Sequence, residues 1–221
     1  MLFEQVVSEG LAHYSYVLGD RASGQCLVID PRRDVDIYLE IAKQNEMRIA
    51  NILETHIHAD YVSGGLELAA RTGAPISISA YGEVGFDCLP LDDGSFIPLG
   101  EIERKVIHTP GHTPEPICFQ ARGGMGRENP WGLFSGDLLF AGEVGRPDLL
   151  GEEIEETLVH QLFDSLHEKV LNLGDEIVVY PAHGAGSPCG ASIGDRPLTT
   201  IGYEKHNTPT LQIKDKKSFI K

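Results

Sequence analysis

The chain has 221 residues with a formal net charge of −15; it is long enough to bury a core without staples, and no basic run exists to neutralise phosphates, which argues against nucleic acid as a partner. Four scattered cysteines, Cys26, Cys88, Cys118 and Cys189, form no Cys-x-x-Cys pair, so neither a zinc ribbon nor a disulfide framework is signalled and a reducing cytoplasm fits. No basic cluster precedes an apolar segment in the first twenty residues and no apolar run reaches membrane-spanning length, so the expectation is a soluble, cytoplasmic protein with no membrane partner.

Gly24 to Asp30 reads as a buried strand ending at Pro31, and Asp34 to Met47 follows with helical spacing of Ile37, Tyr38, Ile41 and Ala42. Arg48 to Leu53 is the next apolar strand, and Ser63 to Arg71 predicts a helix closed by Gly73. Short strands are expected at Pro75 to Ser79, Ser95 to Pro98, Ile102 to His108, Ile117 to Ala121 and Gly132 to Ser135, separated by Gly, Pro and Asp turns, which suggests a second, mostly antiparallel sheet. Ile154, Leu158, Leu162, Leu166 and Val170 recur every four residues, so Glu152 to Leu171 predicts one amphipathic helix. Ile177 to Tyr180 is a last core strand, and a short helix is expected near Lys214 to Lys221. Two sheets with helices outside give an α/β fold, a four-layer αββα sandwich.

Histidines and carboxylates follow several of these strands. They are His56, His58 and Asp60 in Thr-His-Ile-His-Ala-Asp, His112 in Pro-Gly-His-Thr-Pro, Asp137 after Gly132 to Ser135, and His183 after Ile177 to Tyr180. Imidazole nitrogen and carboxylate oxygen suit borderline and hard metals, and stiff turns at strand ends can aim such groups at one point. The His-x-His spacing alone does not say whether His56 and His58 share a face or spread around a metal. Any one of these residues by itself would read as structural, as a helix cap or a satisfied loop group. Tyr61, directly after Asp60, is a poor ligand for a second metal.

Taken in order, these segments resemble the metallo-β-lactamase superfamily, with its His-x-His-x-Asp-His, His, Asp and His pattern along nearly the whole chain. Residues 55–64 and Ser135 to Leu149 (SGDLLFAGEVGRPDL) are more similar to the persulfide dioxygenase group, in particular to the metal domain of its bacterial rhodanese-fused members. The resemblance implies one Fe(II) per chain held by His56, His112 and Asp137, with His58, Asp60, Tyr61 and His183 as supporting groups around the ligands. It implies a mononuclear non-haem iron enzyme that oxidises a low-molecular-weight thiol persulfide with O₂ to sulfite and thiol, in sulfide detoxification or sulfur metabolism. A set of two histidines and one carboxylate leaves open positions for substrate and O₂ on such an ion.

Arg146 is where the family's arginine binds the thiol carrier, and its other reading is an ion pair with Asp148 or Glu143. Cys189 is either a sulfur relay or a loop cysteine without function. Gly184 and Ala185 stand where glutathione-using members carry Asp and Tyr, which turns the expectation toward coenzyme A or another small thiol. The chain reads as a single metallo-β-lactamase-like domain over 1–221, either cut before rhodanese-like domains or a natural short form. A rhodanese-type sulfurtransferase is the expected protein partner, and a homo-oligomer the expected assembly. Two alternatives stand beside the dioxygenase: a zinc-dependent, glyoxalase II-like thioester hydrolase, which the change to Tyr61 weakens, and a non-catalytic sulfur-binding module.

Overall fold

The computed structural model describes residues 1–124, 129–190 and 192–220. Two six-stranded sheets form the centre. The first contains β1 (Leu2–Ser8), β2 (His13–Asp20), β3 (Gln25–Ile29), β4 (Arg48–Leu53), β5 (Ile76–Ser79) and β6 (Leu89–Leu91), in that spatial order. The second contains β7 (Phe96–Leu99), β8 (Ile102–His108), β9 (Ile117–Gly123), β10 (Pro130–Gly136), β11 (Val178–Pro181) and β12 (Thr199–Thr200), again neighbour to neighbour. The second sheet is antiparallel except for the β10/β11 pair.

Side-chain alternation along the strands builds the layers. Tyr14, Tyr16 and Leu18 of β2, Leu27 and Ile29 of β3, and Ile117, Phe119 and Ala121 of β9 point into the core between the sheets. Val17, Cys26 and Val28 point the other way, onto α1 (Asp36–Gln44) and α2 (Gly65–Thr72) through Tyr38, Ala42 and Leu68. Cys118 and Leu133 likewise meet α3 (Glu152–Asp164) through Leu162. The expected four-layer αββα sandwich is therefore the observed fold. Three short helices close the chain: α4 (Ile201–Asn207), α5 (Pro209–Gln212) and α6 (Lys216–Phe219). Lys221, the end of the helix expected at Lys214 to Lys221, lies outside the described residues.

Two differences from the sequence reading bear on the site. The helix expected over Glu152 to Leu171 is α-helical only to Asp164, widening to a π turn over Ser165–Lys169 and a 3-10 turn over Val170–Asn172. The widened turn lets Ser165 Oγ donate to the Pro110 carbonyl at 2.7 Å and Lys169 Nζ to the His108 carbonyl at 2.6 Å, pinning the loop that carries His112. Strands β1 and β2 were not anticipated. β2 is buried along its whole length, so its polar-rich sequence His-Tyr-Ser-Tyr shows no hydrophobic-in, polar-out alternation.

Candidate metal centre

The parallel strands β3, β4, β10 and β11 end at one edge of the sandwich, where β2, antiparallel to β3, begins. That edge collects Asp30, residues 54–61, Asp137, His183 and His13. Backbone bonds stitch it together: Ile117 N donates to Thr55 O at 2.8 Å, Ala182 N to Gly136 O at 2.9 Å, and Tyr14 N to Ala182 O at 2.7 Å.

His56, His112 and Asp137 form one group, buried, with their ligand atoms within 4.8 Å of one another. Both imidazole Nε2 atoms lie 3.5 Å from Asp137 Oδ2, which has no hydrogen-bond partner among the described residues. The hydrogen-bond network assigns the tautomers. His112 Nδ1 donates to the Arg146 carbonyl at 2.8 Å. His56 Nδ1 donates to Thr55 Oγ1 at 3.0 Å, which donates onward to Asp30 Oδ2 at 2.8 Å. Each ring thus turns its Nε2 lone pair inward, the arrangement that orients metal-ligating histidines.

His58, Asp60 and His183 form a second group on the same 4.8 Å criterion. His183 Nδ1 donates to Asp137 Oδ1 at 2.6 Å, so one carboxylate links the two groups. His183 Nε2 lies 2.9 Å from Asp60 Oδ2 and His58 Nε2 3.3 Å from Asp30 Oδ1, yet neither contact is an aligned hydrogen bond. Buried polar atoms left unpaired in this way are costly; a cation at their meeting point would satisfy them. Both donor sets therefore fit a divalent metal.

Electrostatics support this. Burial works against the Asp137 carboxylate, but His183 and His56 hold it well below the ordinary range. Burial opposes charge on His183 too, but Asp137 and Asp60 raise it to about 10. Burial lowers His58, with His56 adding to the effect, and burial likewise lowers His112.

The remaining expected residues are also placed. Tyr61 packs its ring 4.5 Å from that of His58, and its hydroxyl reaches the Asp30 carbonyl at 3.4 Å. Arg146 forks onto Asp148 with two 2.6 Å hydrogen bonds, the ion-pair arrangement. Cys189 is buried, its sulfur grouped with Asp137 and His183; burial and the Asp137 charge push its thiol pKa up, away from the thiolate that a sulfur relay needs.

Sequence reasoning missed three contributors. Asp30 receives both the backbone N–H and the hydroxyl of Thr55, at 2.7 and 2.8 Å. Glu54 accepts from Ser63 Oγ at 2.5 Å, and burial with the neighbouring Asp30 charge raises its carboxyl well above the ordinary range. His13 brings another imidazole to the edge. Asp30 stands at the end of a strand that was legible, so its place beside the site could have been read from the strand-end rule. Beside His56 and His58 opens a cavity of about 320 Å³ lined largely by apolar side chains, among them Ile57, Leu66, Val84 and Phe86.

A sandwich whose strand ends gather buried imidazoles and carboxylates defines a class of metal-binding α/β proteins. Within it, the chain belongs to the metallo-β-lactamase superfamily, whose family model matches residues 9–183. A crystal structure of a metallo-β-lactamase from Staphylococcus aureus shares 38% identity at a TM-score of 0.91, over 99% of this chain and 65% of that one. ETHE1 from Myxococcus xanthus shares 29% identity at a TM-score of 0.85, over all of this chain and 88% of that one, so the likeness to the persulfide dioxygenase group holds in structure. A structure of TTHA1623 in a di-iron-bound form shares 26% identity at a TM-score of 0.69, over 93% of this chain and 98% of that one. Among curated relatives, hydroxyacylglutathione hydrolase from Francisella tularensis is 34% identical over 181 residues, which is 80% of this chain. The chain spans 65% of that relative's length.

These relatives correct the activity expected above. The reading as an Fe(II)-dependent persulfide dioxygenase gives way, because the curated relatives are named hydroxyacylglutathione hydrolases. The physical reason lies at Tyr61, a poor ligand itself, which nonetheless leaves a second convergent ligand group, His58, Asp60 and His183, standing beside it.

Proposed function

We propose that the chain carries the metal site of a glyoxalase II-like hydrolase that cleaves acyl thioesters of a small thiol, with two divalent metals of the borderline class. The observation that carries this is Asp137, which reaches His183 through Oδ1 and faces His56 and His112 through Oδ2, joining two unsatisfied ligand groups. His56, His112 and Asp137 would hold the first metal, and His58, Asp60 and His183 would hold the second. When bound, such a pair lowers the pKa of water and polarises an acyl carbonyl.

The chain's own residues do the rest. Thr55 and the Arg146 carbonyl fix the His56 and His112 rings, so the ligand set is formed before substrate arrives. Asp60, whose Oδ2 faces His183 Nε2 at 2.9 Å within the second ligand group, leaves Oδ1, free of hydrogen bonds among the described residues, to take the proton of the attacking water. A carbon–oxygen bond forms, the carbon–sulfur bond breaks, and that proton leaves with the thiol. The apolar cavity beside His56 and His58 suits the acyl group. Gly184 and Ala185, lacking polar side chains, leave the choice of thiol to other residues.

Thiol release from an S-hydroxyacyl thioester tests the reading. The zinc-replete protein is expected to release thiol, with His112→Ala reducing the rate at least about a hundredfold; absence of cleavage by zinc-, iron- and manganese-loaded protein alike would overturn it.

A further inference from the structure

We infer that His13 supplies to the second metal position the imidazole that the His-x-His-x-Asp motif lacks at Tyr61. The inference rests on the two-metal reading above and concerns a residue far from that motif in sequence.

His13 is fully buried, at 0% exposure, and neither ring nitrogen has a hydrogen-bond partner among the described residues. Packing alone would explain an aromatic ring here, since the imidazole lies 4.2 Å from the ring of Tyr61. It would not explain a ring with two polar atoms, because each buried and unpaired nitrogen opposes folding. The geometry supplies the missing partner. His13 and His183 have ring centroids 5.5 Å apart, against 5.4 Å for His56 and His112 in the first group. Two imidazoles on one tetrahedral ion, with metal–nitrogen bonds near 2 Å, place their centroids roughly 5 Å apart. His13 also lies 5.8 Å from His58, so its ring borders the group of His58, Asp60 and His183 without being one of its three members.

The backbone holds this position firmly. His13 and His183 face each other across an isolated antiparallel bridge, with Tyr14 N donating to Ala182 O and Gly184 N donating to Ala12 O at 2.8 Å. Gly184 is required for that approach, since a Cβ there would sit 2.0 Å from the Tyr14 hydroxyl oxygen. Tyr61 meanwhile directs its hydroxyl toward the Asp30 carbonyl, leaving the second group's space to imidazole.

Metal counting tests the assignment without reference to turnover. Metal-free protein is reconstituted with Zn(II) and with Co(II), and metal per chain is measured by elemental analysis and Co(II) absorption. Wild type is expected to hold two ions, His13→Ala one, and the His13→Ala/Tyr61→His double variant two again. Circular dichroism of the metal-free forms establishes folding, and His13→Gln is read in the same way if the alanine variant does not fold. Two ions retained by His13→Ala or His13→Gln at unchanged affinity, one ion in wild type, or no recovery in the double variant would overturn the inference. Thioester cleavage is scored separately. A second ion that depends on His13, without cleavage, leaves His13 standing and removes the hydrolase reading; cleavage with a single ion does the reverse.

Discussion

Thr55 shows how much a single hydroxyl does at this edge. It accepts from His56 Nδ1 and donates to Asp30, so it fixes both the ring's tautomer and its tilt. Thr55→Val keeps the shape and removes that relay. The expected outcome is a loss of metal affinity of about 10–100-fold, read by competition with a chromophoric chelator, with the fold unchanged; affinity equal to wild type would show that packing alone orients His56. The residues legible in the sequence were those whose neighbours are turn-formers. His112 follows Pro110 and Gly111, and Asp137 follows Gly136, so each announces a strand-end loop. His13 gave no such signal, because Leu-Ala-His-Tyr-Ser-Tyr has neither a turn residue beside the histidine nor a clear apolar period. The arrangement of Tyr61 was equally hidden: a ligand lost from a motif is visible in sequence, whereas its replacement from another strand is visible only in space.

At the level of elements, the site depends on close approaches that leave no room for a side chain. A Cβ at Gly145 would stand 1.8 Å from the Asp137 carbonyl oxygen, the backbone of the residue that links the two ligand groups. Gly145→Ala is therefore expected to displace Asp137 and weaken binding of both ions while the sheets persist, as followed by metal stoichiometry and circular dichroism; two ions bound as in wild type would contradict this. At Gly111, with φ of +147, a Cβ would meet the Leu162 backbone at 2.5 Å. Gly111→Ala is expected to cost about 1–3 kcal/mol through overpacking of α3 against the His112 loop, measurable by urea unfolding. The strong stripe of Ile154, Leu158, Leu162 and Leu166 made this helix legible. Its π turn was not, because the widening answers to the carbonyls of His108 and Pro110, which the helix sequence does not reveal.

For the molecule as a whole, layer order followed from short apolar strands alternating with amphipathic helices, while the pairing of β2 across the edge to residues 182–184 had no sequence counterpart. That pairing ties both sheets to the ligand groups, so metal binding and folding are linked. In the metal-free protein the folded state raises His183 from its ordinary 6.5 to about 10, a shift whose stabilisation is complete below pH 6.5 and is lost as pH climbs through about 10. Metal-free protein is accordingly expected to lose thermal stability across that alkaline window, with His183→Gln flattening the slope; an unchanged slope in the variant would place the effect elsewhere. Among the described residues no helix is long and apolar enough to cross a membrane. The most direct test of the two-metal hydrolase is thioester cleavage followed as metal is returned to the stripped protein. Thiol release is expected to rise to a plateau at two equivalents per chain; no release at two equivalents of any of zinc, iron or manganese would contradict the two-metal hydrolase.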